Sequence, residues 1–152
     1  MRLMYLRKSR ADGDHETVGE VLARHENILQ EFAVRTYGEA IPEEQILREI
    51  VSGETIDSRP QMCRLLEMLQ TGSVDAVLVV DPQRLSRGDL RDCGTVIRAF
   101  QYTGTIVATP QKSYDLSEKY DRKFLEMELM RGNDYLEYVK EIKPIIPKGN
   151  QP

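Results

Sequence analysis

This chain has few of the residues that most metal and redox sites are built from. It has two cysteines and two histidines in 152 residues, and no acidic or cysteine cluster stands at ligand spacing beside His15 or His25. A zinc site is therefore not expected, and Cys63 and Cys93, each alone within an apolar helical pattern, are expected to be reduced core residues. No hydrophobic run approaches the ~18 residues a membrane span requires, and the N-terminus lacks a signal-peptide apolar core. The expectation is a cytoplasmic protein with no membrane partner. Excess positive charge is also missing. The net charge of −4 argues against binding nucleic acid by bulk attraction, so any phosphate recognition must be local. There is no internal repeat and no low-complexity segment.

What is present is an ordinary globular composition, 40% hydrophobic and 30% charged, in a length that suits one domain with a real core. The most informative stretch runs from Val74 to Gly88. Ala76 to Val80 is too short for a helix and rich in β-branched residues, as in a strand buried on both faces. Pro82 ends it, and Arg84 and Arg87 follow three positions apart, so a helical turn there places both on one side. Such a pair suits an oxyanion or phosphate, although two solvated surface arginines are the plainer alternative.

The remaining segments alternate in type. Residues 2–6 form a first strand, followed by Arg7-Lys8-Ser9-Arg10. Thr17 and Glu20 fit a capping box for a helix whose apolar stripe is Val18, Val21, Leu22, Leu29 and Phe32, with His25 on or beside it as a satisfied or boundary histidine. Residues 46–51 are a weaker second strand, and residues 52–58 a loop. Ser58 or Arg59 then caps a helix with Pro60 in its first turn, Met62, Leu65, Leu66 and Leu69 inward, and Gly72 at its end. After strand three, Asp89 starts a helix carrying Leu90, Cys93, Ile97 and Phe100 inward. Gly104 to Thr109 is a fourth strand, and residues 111–117 are a loop. This order predicts an α/β fold, a mostly parallel sheet of four to five strands with helices on both faces. Residues 1–116 would form that core.

Residues 117–143 read as a long helical segment with Phe124, Met127, Met130, Leu136 and Val139 as an imperfect stripe, weakened at Gly132-Asn133. A final helix packed on the domain is the bland reading, and an oligomerisation helix the preferred one. The tail, residues 144–152, is expected to be disordered.

Strands of a parallel sheet point one way, so the loops that follow them share one edge. That edge would collect Arg7, Ser9 and Arg10 after strand one, Ser52 and Arg59 after strand two, and Arg84 and Arg87 after strand three. Arginines so gathered can stabilise a phosphoryl group as its oxygens gain charge, without a metal, if a nucleophile is present. Ser9, between Lys8 and Arg10, is the candidate. No histidine stands next to it as an obvious base; His15 is conceivable, and the proton acceptor stays open.

Together these residues resemble the catalytic domain of a serine recombinase of the resolvase/invertase superfamily, above all the large serine integrases of phages and conjugative transposons. The resemblance is carried by Tyr-Leu-Arg-Lys-Ser (5–9), Glu-Ile-Val-Ser-Gly-Glu-Thr-Ile-Asp-Ser-Arg-Pro (49–60), Arg-Leu-Ser-Arg-Gly (84–88) and Thr-Pro-Gln-Lys-Ser-Tyr-Asp-Leu (109–116), and spans about residues 1–130. It implies a resolvase-like (flavodoxin-like) fold and attack by Ser9 on a DNA phosphodiester, giving a 5′-phosphoserine link and a free 3′-hydroxyl. It implies that no cofactor is needed, because the link conserves the bond energy for religation. It also implies that Arg7, Arg59, Arg84 and Arg87 are catalytic and that Ser52 is a loop serine near the site. The partners implied are DNA and further copies of the chain, a dimer or a tetramer on paired sites, assembled partly through the long helix before subunit rotation and rejoining. Many relatives have Asp immediately before the Arg-Leu-x-Arg element, where this chain has Gln83, with Asp81 two residues earlier. Either is a supporting residue that could orient an arginine. DNA-binding domains, which normally follow the long helix, are expected to be absent from this chain. Two rivals share the same residues: a small phosphoesterase, and a non-catalytic flavodoxin-like oligomerisation or anion-binding module.

Overall fold

The first strand, β1 (Arg2–Ser9), alternates its side chains between two separate packing layers, and the rest of the domain is built on that alternation. Leu3 and Tyr5 enter one core, and Met4 and Leu6 the other. All four are essentially without solvent exposure, as expected of a central strand. The computed structural model describes residues 1–9, 17–51, 59–86 and 90–129, and of Ser9, Val18 and Val51 the backbone only.

Five strands form one sheet in the order β2-β1-β3-β4-β5, where β2 is Ile46–Val51, β3 Ala76–Leu78, β4 Ile106–Ala108 and β5 Ser113–Tyr114. The first four run parallel. Helix α1 (Val18–Tyr37) covers one face through Leu22, Leu29, Phe32 and Ala33. The other face is covered by α2 (Pro60–Gln70), α3 (Leu90–Thr103) and helical residues 119–129 (α4), through Met62, Leu65, Leu69, Val96, Phe100, Leu125 and Leu129. Helices therefore lie on both faces of a mostly parallel sheet. Among the described residues, no helix is long and apolar enough to cross a membrane.

The local signals act largely as their chemistry dictates. Thr17 is the N-cap of α1, its side chain accepting the Glu20 amide at 3.1 Å. Gly38 ends that helix at φ +83°, a left-handed conformation that glycine adopts without steric cost. Arg59 is the N-cap of α2 but supplies no capping bond of its own. The Glu49 carboxylate, from the neighbouring strand, accepts the Gln61 amide at 2.8 Å instead.

Several expectations need correction. Strand β1 runs on to Ser9, so Arg7, Lys8 and Ser9 belong to a strand paired with Glu49, Ile50 and Val51 rather than to a loop. Residues 111–117 are not wholly loop. Ser113 and Tyr114 return antiparallel against Ala108 and Val107, across a turn that Thr109 ties to the Lys112 amide and carbonyl. Two residues are too few to show a period of two. Leu90 is 57% exposed, while Val96 is fully buried. Cys63 is half-buried and only Cys93 is a core residue. In α4 the inward positions are Leu125 and Leu129, whereas Phe124 and Met127 face solvent. Asp89, Met130, Leu136, Val139, Gly132-Asn133 and the tail lie outside the described residues.

Candidate active site

In the order β2-β1-β3, the chain leaves β1 toward one side of the sheet to form β2 and returns on the other side as β3. The carboxyl ends of β1 and β3 thus flank the switch point, where open α/β sheets usually bind ligands. The arginines meet there. Arg7, at the end of β1, is 2% exposed. Its Nε donates to the Arg84 carbonyl at 3.0 Å and its Nη2 to the Gln83 carbonyl at 2.9 Å. Arg59, fully buried at the start of α2, donates through Nη2 to the Arg84 carbonyl at 3.1 Å and the Leu85 carbonyl at 2.6 Å. Arg84 returns the contact, its Nη1 lying 3.5 Å from the Arg7 carbonyl.

The common anchor is the single 3-10 turn Pro82–Arg84 that follows β3. Its last carbonyls have no helix to continue into, and guanidinium forks from two other segments satisfy them. Of the arginines expected on one edge, Arg7, Arg59 and Arg84 meet through these carbonyls.

Two side chains not singled out in the sequence complete the buried part. The Tyr5 hydroxyl donates to Glu49 Oε2 and accepts from Arg59 Nη2 at 2.9 Å. Glu49 Oε2 lies 3.9 Å from Arg59 Nε, and both side chains are nearly inaccessible. Burial pushes the Tyr5 phenol far above its ordinary pKa; Arg59 opposes that and the hydrogen bond to Glu49 adds to it, so Tyr5 stays a protonated donor. The signal for Glu49 was available, since β2 alternates its faces and a carboxylate on the buried one requires a cation or donors as partners. Arg59 Nε and Nη1 are nevertheless buried without hydrogen-bond partners. Orphaned guanidinium donors are uncommon in a folded interior, and an anion is the ligand that would satisfy them.

The remaining predicted residues divide. Asp81 pairs with an arginine, its Oδ2 lying 3.3 Å from Arg84 Nε. The Gln83 side chain does not; its Nε2 lies 3.4 Å from the Glu128 carbonyl on α4, and only its backbone carbonyl holds Arg7. Ser9 is the last residue of β1, two positions past Arg7 and opposite Val51. Ser52 and Arg87 lie outside the described residues, as do Arg10 and His15. His25, placed by its spacing in the apolar stripe of α1, is buried on the site side of that helix, close enough to feel the charges of Lys8, Asp81 and Arg84.

Comparison with known proteins bears on the fold and the family. Solved structures with the same fold include the N-terminal catalytic domain of TP901-1 integrase (TM-score 0.57, 21% identity, covering 91% of this chain and 97% of that one). They also include the C-terminal catalytic domain of ISC1926 TnpA, an IS607-like serine recombinase (TM-score 0.55, 18% identity, 90% and 97% covered). A serine recombinase from Sulfolobus solfataricus matches at a TM-score of 0.50 with 17% identity, covering 92% and 98%. The model of the resolvase N-terminal domain family matches residues 2–131, and on that match, over most of its length, the chain belongs to the resolvase family of serine recombinase catalytic domains.

Proposed function

We propose that this domain breaks and rejoins DNA phosphodiesters with Ser9 as the nucleophile. The Ser9 oxygen attacks phosphorus, the bond to the 3′-oxygen breaks, and that oxygen leaves as a 3′-hydroxyl after taking a proton. The 5′-phosphate stays on the serine. Attack by a 3′-hydroxyl reverses the step and returns the proton to Ser9, so no cofactor is consumed. Arg7, Arg59 and Arg84, with Arg87, stabilise the charge that develops on the phosphoryl oxygens. Loss of one such donor typically costs ~10²–10³ in rate. Ser52 assists from the loop after β2, and Asp81 holds Arg84.

The observation that carries this reading is the meeting of Arg7, Arg59 and Arg84 at one turn, with two Arg59 nitrogens unsatisfied. The partners are DNA and further copies of the chain. Tyr120, Phe124 and Met127 leave an apolar face of α4 exposed, and this is the surface proposed for assembly into a dimer or tetramer.

The test links the domain to a sequence-specific DNA-binding domain and offers it duplexes carrying that domain's sites around a central segment. Denaturing gels should show a covalent protein–DNA adduct, mapped to Ser9 by mass spectrometry and lost in Ser9→Ala. No Ser9-linked DNA would leave an anion-binding module as the reading. Hydrolysis of simple phosphomonoesters by the domain alone would point to a phosphoesterase.

A further inference from the structure

The turn that gathers the arginines also reaches helix α4. Gln83, in the middle of that turn, is half-buried and bonded at both its main chain and its side chain. Its carbonyl accepts Arg7 Nη2 at 2.9 Å, and its side-chain Nε2 donates to the Glu128 carbonyl at 3.4 Å. The next carbonyl, that of Arg84, takes Arg7 Nε and Arg59 Nη2. One residue thus connects the anchor of two buried guanidinium groups to a helix 45 positions further along the chain. On α4, Leu125 and Leu129 are fully buried while Tyr120, Phe124 and Met127 face solvent, and half-buried Glu128 stands between Met127 and Leu129. At 3.4 Å the bond from Gln83 is long, so a shift of α4 by roughly 0.5 Å away from the turn breaks it. Only a donor serves at this position. A carboxylate would face the carbonyl oxygen with a second acceptor, and an apolar side chain would leave the contact unmade.

We propose that Gln83 is a positioning residue that ties α4 to the arginine cluster: its amide fixes the turn against the Glu128 carbonyl, and a displacement of α4 is passed through the turn to Arg7 and Arg59. The turn is suited to moving as a unit. It is closed by its own bonds, from the Arg84 amide to the Asp81 carbonyl at 3.2 Å and from the Leu85 amide to the Pro82 carbonyl at 3.0 Å. Pro82 at its start fixes one backbone angle more. A second copy seated on the exposed face of α4 would therefore be felt at the guanidinium groups. The link itself rests on the two contacts of Gln83; its effect on rate, and the copy seated on α4, rest on the recombinase reading.

The deciding experiment is a double-mutant NMR comparison on the intact chain. The Arg7 Nε–H resonance, assigned by its loss in Arg7→Lys, reads the turn, because that group donates to the Arg84 carbonyl. Leu129→Ala loosens α4 from its buried side, and Leu125→Ala replaces it should that variant not fold. Either change should move the Arg7 resonance when Gln83 is present and leave it where it was in a Gln83→Met background. Gln83→Glu, which keeps the size and loses the donor, should behave as Gln83→Met does. Leu85 shares the core of Leu125 and Leu129, which gives a rival route through apolar packing. A resonance that moves equally with and without the Gln83 amide would assign the coupling to that packing and overturn the proposal. So would a resonance indifferent to every one of these changes. In the adduct assay, Gln83→Met should slow formation of the Ser9 adduct roughly 2–10-fold, the worth of one neutral hydrogen bond, with affinity for the DNA unchanged. An unchanged rate beside a moved resonance rejects the link to rate. Absence of adduct in the wild type would instead count against Ser9 chemistry, while the resonance still decides the coupling.

Discussion

Glu49 has three partners: the Tyr5 hydroxyl, the amide of Gln61 and, at 3.9 Å, the Arg59 guanidinium. Removing it leaves Arg59 buried without its carboxylate and exposes an uncapped turn of α2. Glu49→Leu should therefore destabilise the domain by roughly 3–5 kcal/mol in urea unfolding. Tyr5→Phe deletes only the hydroxyl between them and should cost about 1–3 kcal/mol. Equal, negligible effects of both changes would show that the cluster does not contribute to stability. His25 adds a pH dependence whose sign follows from its lowered pKa. Above its ordinary 6.5 the group is neutral whether folded or not, so it contributes no pH dependence there. As pH falls through 6.5, the unfolded chain takes up the proton first, and stability is lost until the folded-state value has also been passed. His25→Gln should flatten that part of the urea-midpoint profile. The sequence showed that His25 lies on an apolar stripe, but not that it feels the charges of Asp81 and Arg84, because those residues come from another segment.

Helix α4 shows how far a pattern of apolar residues can be read. Leu125 and Leu129 join the core shared with α2 and α3, while Phe124 is 54% and Met127 65% exposed. Alternative stripes on one helix are equally periodic, and only packing decides which one is buried. Leu129→Ala should cost ~2–5 kcal/mol of stability, as expected for a buried leucine. Met127→Lys should change stability by no more than about 0.5 kcal/mol and should lower the mass measured by sedimentation if this face joins subunits. A mass that is monomeric before and after would remove the assembly role of α4. The start of helix α1 was more legible, since Thr17 specifies it by local chemistry, and the structure adds Gly38 at its end. Gly38→Ala should cost roughly 1 kcal/mol at that positive φ, measurable as a shifted thermal midpoint.

The domain as a whole is a frame that brings distant arginines to the switch point of one sheet. Alternating strands and helices made the α/β class legible, and residues 5–9, 49–60, 84–88 and 109–116 made the family legible. Neither gave the strand order, because parallel strands of similar apolar character exchange places at little local cost. Nor did they give β5, which two residues define only through their partners on β4. The sequence by itself determined the first four strands and the helices between them, the N-cap of α1 and the three segments that carry arginine. The tertiary structure alone decided that Arg7 and Arg59 bind the carbonyls after β3, that Tyr5 and Glu49 close the buried side, and that His25 lies among the same charges. The physical reason is one of range. Caps and periodicity act within a few residues, whereas partners for a buried charge are found across the sheet.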